Sequence, residues 1–108
     1  MSVELGQALE DELARQLKVL ASDRKFGYKR IPHSSDVFVT VSPSRRVRFN
    51  VGFADGRPNE RADDRFSVCA LEIGPGQSEK RPVAVLGEVT SFRTVGDQVR
   101  EIVVEYPF

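Results

Sequence analysis

Four cations and two aromatics share the seven residues Arg24-Lys25-Phe26-Gly27-Tyr28-Lys29-Arg30. This set is suited to binding rather than to bond breaking. Ammonium and guanidinium groups neutralise phosphate or carboxylate, and a ring among them offers a face on which a base can stack. Arg45, Arg46 and Arg48 follow downstream and extend the set if the Pro43-Ser44 turn lies at the same end of the fold. From Arg24 to Arg48 seven bases stand against one acid, Asp36, a net of +6 in a chain whose formal total is zero. The segments on either side carry the compensating negative charge, and charge sorted in this way can produce a local field. A structural reading runs alongside the functional one. Phe26 and Tyr28 also suit a cap over the core, the cations then keeping that exit solvated, and Glu101 and Glu105 can neutralise Arg46 and Arg48 if their strands are neighbours.

Residues able to catalyse a reaction are present but not in working patterns. Asp55, Glu60, Asp63 and Asp64 crowd one loop, yet the alternation and turn glycine of a calcium loop are missing, and Arg57, Arg61 and Arg65 are interspersed among them. Asp64 ahead of Glu72-Ile73-Gly74 supplies the two acids of a nuclease pattern of Asp followed by Glu-x-Lys, but the lysine that would polarise water is absent. Gly74-Pro75-Gly76 with Lys80 lacks the Gly-Lys-Ser/Thr ending of a phosphate loop. One histidine, His33, and one cysteine, Cys69, are too few for a typical zinc site, and no nucleophile-elbow pattern surrounds any serine. No cofactor motif is present. A metal-dependent hydrolase using His33 and the 55–64 carboxylates is therefore the least favoured reading.

At 108 residues, with 40% hydrophobic and 30% charged side chains, the chain has the size and composition of one globular domain. A single cysteine rules out an internal disulfide and gives no sign of an oxidising compartment. The start, Met1-Ser2-Val3-Glu4, has no secretory character, and no apolar run reaches the roughly 20 residues of a membrane span. The expectation is a cytoplasmic protein with no membrane association.

The elements that must position the cations follow from hydrophobic spacing. Leu5, Ala8, Leu9, Leu13, Leu17, Leu20 and Ala21 fall on one helical face, predicting a helix over about 3–22. Period two then takes over. Strands are expected at about 36–42, 46–54, 66–73, 83–92 and 99–106, the clearest being Val47, Phe49, Val51 and Phe53 alternating with Arg46, Arg48, Asn50 and Gly52. Gly87 marks a bulge or bend in the fourth strand. The expected fold is α+β: one N-terminal helix packed across a curled, mainly antiparallel five-stranded sheet.

The function these observations favour is a non-enzymatic interaction module, an accessory, inhibitory or assembly protein. It would dock an acidic protein partner through Arg24, Lys25, Phe26, Tyr28, Lys29, Arg30, Arg45, Arg46 and Arg48, with a nucleic acid as the alternative partner. The valine-rich C-terminal strand, guarded only by Glu101 and Glu105, adds the expectation of a homo-oligomer formed through a sheet edge.

Overall fold

The apolar stripe of the first segment forms a helix, α1, over Ser2–Arg24. Leu5, Leu9, Leu13, Ala14, Leu17 and Ala21 are its buried hydrophobic residues among those described. A computed structural model of the chain describes residues 2–32, 34–53, 66–73, 84–89 and 91–108. The helix ends on Lys25, whose φ of 60° places it in the left-handed region. The Lys25 amide donates to the Ser22 carbonyl at 3.4 Å and the Phe26 amide to the Ala21 carbonyl at 2.8 Å, the two closing bonds of a Schellman cap.

Among the described residues five strands follow as a meander in spatial order β1-β2-β3-β4-β5, every neighbouring pair antiparallel. They are β1 Gly27–Arg30, β2 Val37–Ser42, β3 Arg45–Phe53, β4 Phe66–Ile73 and β5 Ala84–Val89. A single 3-10 turn, Phe92–Thr94, leads into a second helix, α2, Val95–Glu105. Among the described residues the α+β expectation holds, with an antiparallel sheet that does not close.

Two elements differ from the expectation. Gly27–Arg30, expected as loop, is the first strand and pairs with β2 from Gly27↔Thr40 to Arg30↔Val37. The segment 99–106, expected as the last strand, lies almost wholly within α2, and Phe92 belongs to the 3-10 turn rather than to β5. In α2 the buried residues Val95, Val99, Ile102 and Val103 make a helical stripe, while Val104 is 68% exposed. The helix is favoured because that stripe covers both α1 and β5 at once, which a strand at the sheet edge would not do. The valine-rich C-terminal segment is therefore no sheet edge, and Glu101 and Glu105 sit on a helix instead of beside Arg46 and Arg48.

Both helices pack on one face of the sheet. Val37, Val39, Val47, Phe49, Val68, Ala70 and Val89 form that face of the core. Two glycines permit the close approach. A Cβ on Gly6 of α1 would stand 2.9 Å from the Phe66 ring, and one on Gly87 of β5 would stand 3.0 Å from Ile102 Cδ1 of α2. The bulge expected at Gly87 is found beside it: Val68 faces Gly87 and Cys69 faces Val85, which leaves Leu86 as the extra residue of β5. An aromatic cluster closes one end of the core, with Phe49 against Tyr106 at 5.1 Å, Phe49 against Phe108 at 5.8 Å and Phe26 against Phe108 at 5.8 Å between ring centroids. No helix among the described residues is long and apolar enough to cross a membrane.

Candidate macromolecular interface

Register decides where each cation goes. In β2 the residues Val37 and Val39 point to the helices, so Phe38 and Thr40 point away. Phe38 stands opposite Lys29 of β1 on one side and Arg48 of β3 on the other, and Arg48 stands opposite Leu71 of β4. Lys29, Phe38, Arg48 and Leu71 thus form one row across four strands on the face turned away from the helices. Arg46, two residues before Arg48 and on the same face, lays its guanidinium over the Phe38 ring, 5.1 Å from the centroid. Lys29 and Arg46 are exposed, Phe38 and Arg48 partly so. This face is not open everywhere, since Ser67 and Leu71 in the same alternation are buried.

The two-residue connection Pro43-Ser44 sets this register. Ser42 Oγ accepts from the Ser44 amide at 3.3 Å and lies 3.2 Å from Ser44 Oγ, a local side-chain turn of the kind serine favours. A shift between Thr40 and Ser42 then brings Thr40 opposite Arg46.

The remaining members of the expected basic set go elsewhere. Arg30 turns to the helix layer, its Nη2 donating to Asp11 Oδ1 at 2.9 Å. Arg45 donates to the Glu72 carboxylate and, through Nη2, to the Pro107 carbonyl at 2.6 Å. Arg24 sits 6.0 Å from the centroid of Phe108. Lys25 is the left-handed residue of the helix cap. Phe26 and Tyr28 pack against the core, and burial raises the Tyr28 hydroxyl above its ordinary pKa. The structure therefore brings Lys29, Arg46 and Arg48 together and separates them from Arg24, Arg30 and Arg45.

Phe38 is the member that sequence reasoning passed over. Its signal was an aromatic at the polar parity of a strand, meaningful only once the turn had fixed what lies opposite. The helix layer is acidic by contrast. In α1 five acids stand against three bases, and in α2 Asp97, Glu101 and Glu105 stand against Arg100. Cys69, on the outward parity of β4, has its thiol pKa raised by burial, which suppresses the reactive thiolate.

Among the described residues no group of three or more His, Cys, Asp or Glu is arranged to hold a metal ion. His33, the 55–64 carboxylates and the Gly74–Lys80 segment lie outside the described residues. No family model, curated protein or solved structure matches this chain.

Proposed function

We propose that the protein is a non-enzymatic binding module that docks an acidic partner through the sheet face turned away from its helices. The observation that supports this is the cross-strand row of Lys29, Phe38 and Arg48 with the Arg46 guanidinium stacked on Phe38. Lys29 and Arg46 supply charge, and the ring supplies an apolar centre between them, the combination that protein interfaces concentrate in their anchors. An acidic protein is the first partner class. A nucleic acid is the second, with Phe38 rather than Phe26 or Tyr28 as the stacking residue. Pairing of two copies through a sheet edge would use one of the two outer strands, β1 or β5.

The test uses two defined polyanions, polyglutamate and a single-stranded oligonucleotide, against the whole chain and a Lys29→Gln/Arg46→Gln variant. Binding is expected at low salt, weakening as salt rises and lost in the variant. Polyglutamate binding alone assigns the protein-partner class. Oligonucleotide binding that also needs Phe38 assigns the nucleic-acid class. If neither polyanion binds at low salt, the reading fails.

A further inference from the structure

On α2 the acids Asp97, Glu101 and Glu105 follow one another at four-residue spacing, on the side of the helix opposite the buried Val95, Val99 and Val103. All three acids are exposed, and Val104 beside them is 68% exposed. No ion pair or hydrogen bond from a described residue reaches their carboxylates, Arg100 of the same helix included. This ridge costs the helix stability. Like charges four residues apart repel each other, and Glu105 stands in the last turn, where the helix dipole disfavours a carboxylate and no basic residue offsets it. A positively charged partner would relieve both.

The outward face of the sheet has the converse arrangement. Lys29, Arg46 and Arg48 gather there around Phe38, and neither Lys29 nor Arg46, both exposed, forms an ion pair with a described residue. The dimensions agree as well. The row from Lys29 to Arg48 crosses two strand spacings, about 10 Å, and the acids from Asp97 to Glu105 extend over about 12 Å of helix. Because α2 packs on the other face of the sheet, the two sets cannot neutralise each other within one chain.

We infer that the outward sheet face of one copy docks the α2 ridge of a second copy. The three acids of the ridge meet the three cations of the face, and Val104 meets Phe38. Resting on the reading of that face as a dock for an acidic partner, this makes the partner the chain itself. Charge complementarity selects that occupant. The formal total of the chain is zero, so copies carry no net repulsion, while each offers one basic surface and one acidic ridge. The two surfaces in contact are different, so the interface is heterologous and leaves a free sheet face at one end and a free ridge at the other. Association then continues head to tail into chains or a ring, unlike the two-fold pairing of sheet edges.

Sedimentation velocity of the whole chain over a concentration series is the test. Species larger than a dimer are expected in low salt, with affinity falling about tenfold or more in high salt. Two variants each lack one half of the contact, Lys29→Gln/Arg46→Gln on the sheet and Asp97→Asn/Glu101→Gln/Glu105→Gln on the ridge. Each alone is expected to be monomeric, and their equimolar mixture to form heterodimers, because each supplies the half that the other has lost. The ridge variant is expected to be no less stable than the parent, since its helical repulsions are gone. If it fails to fold, Glu101→Gln takes its place and is expected to weaken association severalfold. A whole chain that is monomeric at millimolar concentration in low salt overturns the inference. So does association that survives in either variant, as edge pairing would, or is unchanged in Glu101→Gln, or a mixture that stays monomeric. Polyglutamate binding separates this outcome from the earlier reading. A monomeric chain that binds polyglutamate keeps the basic dock and loses the self-association, and one that binds none loses both.

Discussion

The Arg46 guanidinium lies over the Phe38 ring at 5.1 Å, joining the exposed cation of β3 to the aromatic of β2 on the outward face of the sheet. Cation–π contacts at exposed sites contribute about 0.5–1 kcal/mol. A double-mutant cycle of Phe38→Leu and Arg46→Gln, read by urea denaturation, is expected to return a coupling of about that size. A coupling of zero would mean that the two side chains merely lie close.

Lys25 closes α1 with a φ of 60°, a conformation that favours glycine. The left-handed region costs a non-glycine residue about 1 kcal/mol or somewhat more. Lys25→Gly is therefore expected to raise unfolding stability by about 1 kcal/mol, with Lys25→Ala nearly neutral as the control. Chemical denaturation of the three proteins decides it, and a destabilised Lys25→Gly variant would show that the lysine side chain contributes more than its backbone costs.

Phe49 is fully buried, with Tyr106 and Phe108 packed on its ring. Phe49→Ala is expected to cost about 3–5 kcal/mol, a large share of a small domain's stability. Phe108→Ala, at a partly buried position on the rim of the same cluster, is expected to cost clearly less. Thermal unfolding followed by circular dichroism ranks the two, and equal losses would contradict the layering of this cluster.

Adjacent carboxylates on α1 have opposite shifts. The hydrogen bond from Arg30 holds the Asp11 carboxyl below its ordinary value, so its stabilising contribution is present above the unfolded pKa and is lost as pH falls through the folded one. Burial raises Glu10 above its ordinary value, so its ionised form costs stability near neutral pH and that cost disappears on acidification. At pH 7 Asp11→Asn is expected to lose about 0.5 kcal/mol, a small figure because the pair is exposed. Glu10→Gln is expected to be neutral or slightly stabilising at the same pH. Both differences should shrink toward zero at acidic pH, measured as denaturation midpoints across a pH series. A Glu10→Gln variant that is destabilised at pH 7 would contradict the burial argument.

Much of the fold was legible where one periodicity excluded the other. The helix of Leu5, Leu9, Leu13 and Leu17 and the strand of Val47, Phe49 and Val51 fit a single period each, and both are found within two residues of their expected bounds. The segment 99–106 was not legible in this way. Val99, Ile102, Val103 and Tyr106 satisfy a helix, while Ile102, Val104 and Tyr106 satisfy a strand, and short runs of β-branched residues do not separate the two. Gly27-Tyr28-Lys29-Arg30 has too few residues for any period, and its strand character comes from pairing with β2.

By itself the sequence determined the class of the fold, the contributions of α1 and β3 to the core, and the concentration of cations between Arg24 and Arg48. Those properties follow from residue type and local spacing, which do not depend on what lies opposite. Only the tertiary structure decided which cations share a surface. Strand alternation, the two-residue turn at Pro43-Ser44 and the shift after Thr40 send Lys29, Arg46 and Arg48 to one face with Phe38. The same geometry turns Arg30 toward Asp11 and Arg45 toward Glu72. A shift of pairing by one residue would reverse those assignments with no change in sequence, because each step along a strand moves a side chain to the opposite face.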